Sequence, residues 1–300
     1  MVPPRRVPFK DIQPCMIGTP DSRAFADVAA DHPPGVWEGR DMANVPPPDP
    51  PGVPPRVPPP PMPPPPGPGP DVLPATWTPL ETVPVFFIAL VIAVIAGALG
   101  QAFTTACQPQ FFSLWIPQEA AFAAVPLFWV TVVHRTPAAA LGLPRDPAKD
   151  LRVGLAGGVA IVAAAYVVDA VVSGVTSLIL GHSPGQPDQV PTCLHGAGFA
   201  SFAVLAVVLA PLGEETLFRG FLFKSLRARY SFWPSAVISG AVFGLVHIQG
   251  SLFLLIVPSL MLVGIGLAWV YERRQSLLAS MVAHGTFNLV GIVLVTISRR

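Results

Sequence analysis

Two adjacent carboxylates and an arginine interrupt a long apolar stretch of the sequence. Glu214 and Glu215 are followed by Arg219, and apolar residues continue to Phe223. Residues four apart share a helical face, so Glu215 and Arg219 are spaced to pair, whereas Glu214 is rotated by about 100°. An ionisable group in the bilayer core costs about 2.5–3.5 kcal/mol. The pattern predicts a structural carboxylate, Glu215, and a free carboxylate, Glu214, that acts as a general base.

Two histidines and an asparagine lie in later apolar stretches. His247 lies in one stretch, and His284 and Asn288 lie four residues apart in another, on one helical face. With Glu214 they form the candidate catalytic set. A desolvated carboxylate takes a proton from water, a histidine orients that water, and His and Asn donate hydrogen bonds to a developing oxyanion. The set predicts acyl hydrolysis with no metal, no other cofactor and no serine or cysteine nucleophile.

Two other interpretations of these residues stay open. Zinc bound by His247, His284 and a glutamate would have the usual three protein ligands, although the sequence lacks a His-Glu-x-x-His pattern. Alternatively, the polar side chains are hydrogen-bonding contacts that lock helices together. Packing alone needs one or two such residues rather than the whole set.

The composition is that of a membrane protein. The chain has 300 residues, of which 52% are hydrophobic and 12% are charged, whereas a soluble domain has about 25% charged residues. The net charge of +1 argues against nucleic acid as a partner. Membrane lipids are the expected environment. Seven apolar stretches predict an all-α transmembrane helix bundle: 84–106, 120–133, 153–180, 197–223, 233–250, 252–270 and 277–297.

Basic loops alternate with loops that contain no Lys or Arg. The basic loops cover 134–152, 224–232 and 271–276. The positive-inside rule places them, with residues 1–83, in the cytoplasm of a plasma-membrane protein. Two cysteines, Cys107 and Cys193, then lie on the outer side, where a disulfide is allowed, although two free thiols are the prediction. Asp169 is a further acid, inside the third span.

The N-terminal 82 residues differ from the rest, and 83–300 is the predicted membrane domain. Of the 39 prolines, 27 occur at or before Pro84. Proline has no amide donor and a fixed φ, so this extension is predicted to be disordered or an extended polyproline helix. A spacer role is the main hypothesis, and binding to an SH3-like or WW-like domain is the second. The residues after Met1 do not form the apolar run of a signal peptide.

The predicted spans place the candidate catalytic residues at different depths. At about 1.5 Å per residue, Glu214 and His284 fall on the inner half of the bilayer and His247 on the outer half. They meet only if the helix breaks at 211–213 or the turn around Gly250 is recessed. Irregular backbone at depth must be buried or line a wet cavity. We therefore predict a hydrated cavity that brings the Glu214 carboxylate within about 8 Å of the His247 ring.

Three motifs resemble those of the CPBP intramembrane proteases, which include the CAAX prenyl endopeptidases of the Rce type. They occur in order within 197–297: Glu214-Glu215-Thr216-Leu217-Phe218-Arg219, Phe243-Gly244-Leu245-Val246-His247 and His284-Gly285-Thr286-Phe287-Asn288. Alanine often follows the histidine of the third motif in this family. Gly285 here is a small departure that is expected to leave the chemistry unchanged.

The resemblance implies a polytopic glutamic-type protease that acts on a membrane-tethered protein or peptide. Glu214 and His247 would activate water, and His284 and Asn288 would form an oxyanion hole. Glu215, Arg219 and Phe243 would be supporting residues, with Glu215 and Arg219 holding Glu214. Some family members trim prenylated CAAX termini. Bacterial members are also proposed to act in immunity to bacteriocins or as membrane adaptors without protease activity, so a non-enzymatic function stays open.

Overall fold

A computed structural model describes residues 73–103, 106–144, 146–182, 193–248 and 255–298. Within these ranges the chain forms helices and no strand. The α-helices are α1 (Thr82–Phe103), α2 (Cys107–Phe128), α3 (Pro147–Leu180), α4 (Ala197–Val204), α5 (Ala210–Glu215), α6 (Lys224–Arg227), α7 (Phe232–Leu245), α8 (Val257–Arg274) and α9 (Leu277–Ser298). Residues 1–72, most of the predicted disordered extension, lie outside the described residues.

The protein is a multi-pass membrane protein, as the composition predicts. Five helical segments of the described part are long and apolar enough to cross a bilayer: Pro79–Phe103, Cys107–Val133, Pro147–Leu180, Ala197–Arg227 and Leu277–Ile297. The fifth and sixth predicted spans are also helical, but α7 has only 14 residues and α8 has 18, with two arginines at its end. Each of the seven apolar stretches therefore contains a helix, and the all-α fold class is confirmed.

The second span was predicted to begin at residue 120, after a loop at 107–119 that contains no Lys or Arg. That loop is wrong, because α2 already begins at Cys107. The early part of the helix is instead packed through its aromatic side chains, with the rings of Phe111 and Phe202 6.0 Å apart. The start of α2 is also joined to Cys193, just before α4, by a disulfide bond. The prediction of free thiols at Cys107 and Cys193 is therefore wrong as well.

Small residues bring the long helices close together. A Cβ atom at Gly154 of α3 would lie 2.7 Å from the carbonyl oxygen of Ala279 in α9, and one at Gly158 would lie 2.6 Å from that of Ala283. Only glycine allows this approach, and small residues of this kind are typical of helix–helix contacts in membrane proteins. The intramembrane Asp169 of α3 accepts a hydrogen bond from Ser259 Oγ of α8.

The residues just before α1 pack against the bundle, in contrast to the disorder predicted up to residue 82. The side chain of Trp77 is fully buried. Its Nε1 donates to the carbonyl oxygen of Phe221 at 2.9 Å, and its ring stacks on the Phe221 ring at 5.2 Å. The next turn contributes Glu81, whose carboxylate is 2.6 Å from His134 Nε2. The folded part of the chain therefore begins before the predicted boundary.

Candidate active site

The helix that carries the two adjacent glutamates, Ala197–Arg227, contains two π-helical segments. They cover Leu205–Leu209 and Thr216–Phe223 and flank α5. The amide of Ala210 donates to the carbonyl of Leu205, five residues back. In the same pattern residue 211 would donate to Ala206, but proline has no N–H. The helix continues through 211–213 with a bulge, so the break that was one of two predicted arrangements does not occur. The bulge leaves the Ala206 carbonyl without a backbone donor.

The third motif packs onto this bulge. Asn288 Nδ2 of α9 donates to the Ala206 carbonyl oxygen at 2.6 Å. One turn earlier, a Cβ atom at Gly285 would lie 2.5 Å from the carbonyl oxygen of Val207. Glycine at 285 thus permits α9 to approach close enough for the Asn288 bond. Gly285, which was expected from the sequence to be a neutral departure from alanine, therefore has a structural role.

Glu215 is the centre of a fully buried polar network. Its Oε1 lies 2.9 Å from Arg219 Nη1, which confirms the ion pair predicted from the spacing, and 2.9 Å from His284 Nδ1. Its Oε2 accepts a hydrogen bond from Ser280 Oγ. Arg219 Nη2 also donates to the Gly264 carbonyl of α8 at 3.1 Å. The hydrogen bonds of Glu215 therefore orient His284, whereas the family resemblance implied that Glu215 and Arg219 hold Glu214.

Glu214 lies between the two histidines. Its Oε1 is 3.9 Å from His247 Nε2, and its Oε2 is 3.9 Å from His284 Nε2. The residue is only 6% exposed, and Oε2 has no hydrogen-bond partner among the described residues. The predicted approach of Glu214 to His247 is confirmed. The separations exceed a direct hydrogen bond and fall within the span of one bridging water, which is the geometry that water activation requires.

The short α7 explains how His247 reaches the depth of Glu214. Fourteen residues give a helix of about 21 Å, whereas the hydrocarbon core is about 30 Å thick. α7 ends at Leu245, and His247 occupies the turn that follows, with its amide bonded to the Gly244 carbonyl at 3.3 Å. The recessed turn, the second arrangement predicted from the sequence, stays a prediction. Gly250, the proposed centre of that turn, lies outside the described residues.

Phe243 supports the site by contact with three of its members. Its side chain is 1% exposed, and its ring lies 4.8 Å from the His247 ring and 5.7 Å from the His284 ring. The Arg219 guanidinium lies 4.5 Å from the ring centre, within the range of a cation–π interaction. The ring thus fixes both imidazoles and covers the buried ion pair.

The hydrogen-bond partners assign the proton on each histidine Nδ1. His247 Nδ1 is 2.6 Å from the Phe243 carbonyl oxygen, which only accepts, so Nδ1 carries the hydrogen. In neutral His247 the Nε2 lone pair then faces Glu214. His284 Nδ1 donates to the Glu215 carboxylate in the same way. Donation from His284 Nε2 to an oxyanion consequently requires the imidazolium form, whose charge Glu215 partly balances.

A groove of about 560 Å³ runs between α2 and the Ala197–Arg227 helix. Its walls include Phe112 and Ile116 of α2 and Val204, Leu205 and Leu209 of the facing helix. The lining of this groove is mainly apolar and includes none of the four candidate catalytic residues. The hydrated cavity expected at Glu214 therefore stays a prediction. The side chain of His247 is 29% exposed, which makes it more accessible than the side chains of Glu214 and His284. The described residues contain no group of three His, Cys, Asp or Glu side chains arranged to hold a metal ion.

Sequence reasoning missed two polar residues of this region. Ser280 lies four residues before His284, so the shared helical face was the signal that would have identified it. Glu119 of α2 was assigned to a loop, but it is 2% exposed. A Cβ atom at Gly213, next to Glu214, would lie 2.6 Å from Glu119 Oε2. An acid directly before the apolar stretch predicted at 120–133 was the signal, and the misplaced start of α2 concealed it.

Comparison with known proteins places the site within a family match. Residues 196–290 match the family described as type II CAAX prenyl endopeptidase Rce1-like. UPF0177 protein YxdF of Lactococcus lactis subsp. lactis (strain IL1403) is 37% identical over 84 residues, which are 28% of this chain and 44% of that protein. An Escherichia coli protein described as an uncharacterized 24.3 kDa protein is 35% identical over 88 residues, 29% of this chain and 40% of that protein.

The matched part spans less than half the length of either relative. No solved structure matches this chain. The family match supports a protease kind of function for this region, and it encloses the three motifs and every residue of the candidate catalytic set. Residues 196–290, which contain the three motifs and the converging side chains, are thus similar to the type II CAAX prenyl endopeptidase Rce1-like family.

Proposed function

We propose that this protein is an intramembrane endopeptidase of the glutamic type. Its substrate is a membrane-tethered protein or peptide, cleaved near its C-terminus, with prenylated CAAX termini as the first class to test. The observation that carries the proposal is the buried Glu214 carboxylate, 3.9 Å from an imidazole nitrogen on either side. The family match over residues 196–290 supports the same kind of reaction.

In the proposed mechanism Glu214 removes a proton from water while His247 Nε2 accepts the second hydrogen bond of that water. The resulting hydroxide adds to the peptide carbonyl carbon. His284 Nε2–H and the second Nδ2 hydrogen of Asn288 stabilise the oxyanion. Glu214 then returns the proton to the leaving amine as the C–N bond breaks. A positioned base contributes about 10²–10⁴-fold and an oxyanion donor about 10²–10³-fold to such a reaction.

This mechanism needs no metal ion, and zinc analysis tests that part of the proposal. We expect purified protein to keep its hydrolytic activity in the presence of a chelator. Stoichiometric zinc, with activity lost to the chelator and restored by zinc, would instead assign His247 and His284 to a metal centre.

We propose the plasma membrane as the site of action, with the N-terminus in the cytoplasm. The alternation of basic loops supports this orientation. The disulfide between Cys107 and Cys193 supports it independently, because disulfides persist in oxidising compartments. The proline-rich extension then lies on the cytoplasmic side as a spacer, where an SH3-like or WW-like domain would have access to it.

The direct test replaces Glu214 by glutamine, which keeps the size of the side chain and removes the base. We expect Glu214→Gln to reduce hydrolysis of a farnesylated CAAX peptide in proteoliposomes at least 100-fold. Glu272→Gln is the matched control, because Glu272 forms a half-exposed ion pair with Arg227 and should tolerate the change. The same two variants, expressed in cells, would identify natural substrates as membrane proteins whose C-terminal peptides are lost only when Glu214 is present.

Hydrolysis that survives Glu214→Gln would rule out this mechanism. If neither the wild-type protein nor the variant cleaves any membrane protein, and both support the same cellular phenotype, a non-enzymatic adaptor function replaces the proposal.

A further inference from the structure

Glu119 is a buried acid outside the three motifs. It lies in α2, 2% exposed, and Gln118 Nε2 donates to its Oε1 at 3.2 Å. Its Oε2 has no hydrogen-bond partner among the described residues. An unpaired charge in such a place is costly, so a buried carboxyl of this kind is retained either for a partner or for a function.

Gly213 brings Glu119 to the catalytic helix. A Cβ atom at position 213 would lie 2.5 Å from the Glu119 carbonyl oxygen and 2.6 Å from its Oε2. Any larger residue would therefore push α2 away. Glu214 is the next residue, and the two carboxylates are close enough for their charges to interact. Each of them has a buried Oε2 atom without a partner in the described part of the chain.

The cations around this pair are already engaged. Glu214 faces His247 and His284 and is within the electrostatic reach of Arg219. Arg219 and His284 Nδ1 both bond to Glu215. Among the described residues, Glu214 and Gln118 act on the Glu119 side chain, and neither of them is a cation. Two ionised carboxylates held together in a buried site repel strongly, so such a pair retains one proton.

We propose that Glu119 and Glu214 form a carboxyl pair that holds a single proton, with Glu119 as its neutral member and Glu214 as the ionised base. This inference rests on the proposed function for its catalytic meaning. Since Gln118 donates to Oε1, the proton of Glu119 occupies Oε2, the oxygen that lies against Gly213. Glu119 is a positioning residue: it touches no reacting atom and keeps a second negative charge away from the base.

The consequence for catalysis is a defined order of protonation states. The active state has neutral Glu119 and ionised Glu214. Loss of the remaining proton at high pH places two charges together, which displaces Glu214 from its histidines. Glutamine at 119 imitates the neutral acid and cannot ionise, so that variant avoids the second state.

Infrared spectroscopy of the protein in lipid vesicles tests the protonation state without a substrate. We expect wild-type protein at pH 7 to show the C=O stretch of a neutral carboxylic acid. The band should shift when glutamate is ¹³C-labelled and be absent from Glu119→Gln. Asp169→Asn, which alters an intramembrane acid on α3, is the matched control and should retain the glutamate band. Labelled wild-type protein without such a band would overturn the proposal even if Glu119→Gln does not fold.

The pH profile of hydrolysis tests the positioning role. We expect Glu119→Gln to keep its neutral-pH kcat within about threefold of wild type and its activity to decline at a higher pH than that of wild type. Identical profiles for both proteins would overturn the positioning role, and so would a folded Glu119→Gln protein that is inactive at every pH. If Glu214→Gln stays active, the proposed function fails instead, and the infrared result still decides the state of Glu119.

Discussion

The contact between Gly285 and the π-helical bulge depends on a single missing methyl group. A Cβ atom at this position would lie 2.5 Å from the Val207 carbonyl oxygen, and the backbone there has no flexible end that can yield. His284 and Asn288 lie on the same helix as Gly285, so any shift of α9 moves two members of the candidate catalytic set. The space around residue 285 is thus as important as the polar side chains themselves.

Gly285→Ala should therefore reduce activity although alanine is the better helix former. We expect a loss of about 1–3 kcal/mol in the free energy of unfolding from overpacking, together with a lower kcat. Gly291→Ala in the same helix is the control, because a Cβ atom there meets nothing within 4 Å. That substitution should be neutral or slightly stabilising. Equal kcat and melting temperature for Gly285→Ala and wild type would show that α9 adjusts without displacing the site.

At the scale of the helix, Pro211 determines which group satisfies the Ala206 carbonyl. The π-helical pattern would assign that carbonyl to the amide of residue 211, and proline leaves the position to Asn288. π-helical turns are frequent at functional sites because they turn side chains and free backbone groups. The bulge thereby links the first and third motifs through one hydrogen bond.

Pro211→Ala should raise stability and lower activity. An alanine amide competes with Asn288 for the Ala206 carbonyl, and removal of proline from a helix interior is worth up to about 3 kcal/mol. Melting temperature and kcat, measured on the same preparation, would show whether Pro211→Ala gains stability and loses activity. Pro258→Ala, at the start of α8 where proline is tolerated, is the control.

The double variant Pro211→Ala with Asn288→Ala separates the two roles of the asparagine. Asn288→Ala alone leaves a carbonyl without its donor and should cost about 1–3 kcal/mol of stability. The double variant should recover that stability and stay deficient in hydrolysis. If it recovers activity as well, Asn288 is structural and has no oxyanion role.

The sequence predicted the helices better than their ends. Apolar length and residue spacing were sufficient for the helical class and the Glu215–Arg219 pair. The approach of Glu214 to His247 was predicted from the chemistry of the set, because the lengths of the spans placed the two residues at different depths. The start of α2 was misplaced because hydropathy does not report the packing of Phe111 on Phe202. The same error concealed Glu119. Tertiary contacts determine where α2 begins, and such contacts cannot be read from the local sequence.

At the scale of the whole molecule, the disulfide makes the proposed membrane orientation testable. Cys107 and Cys193 are bonded, although 86 residues separate them in the sequence. Cys193→Ser should free Cys107 for labelling of intact cells by a membrane-impermeant maleimide. Cys15, in the N-terminal extension that we propose to be cytoplasmic, is the internal control and should react only after lysis. Labelling of Cys15 but not Cys107 in intact cells would reverse the proposed orientation.

Loss of this bond should also lower the free energy of unfolding by about 2–5 kcal/mol, because the closed loop is long. The comparison of wild type and Cys193→Ser by thermal unfolding in detergent measures this contribution. An unchanged melting temperature would show that α2 and the Ala197–Arg227 helix are held together by their side chains alone.

The 14-residue α7 has a consequence for the lipid around the protein. A helix about 9 Å shorter than the hydrocarbon thickness creates a hydrophobic mismatch, which the bilayer relieves by thinning beside it. Headgroups and solvent are drawn inward at that flank, next to the exposed edge of His247. For the proposed hydrolysis, the supply of water then depends on the acyl-chain length of the surrounding lipid, so a thick, sterol-rich membrane and a thin one give the same polypeptide different access to its second reactant.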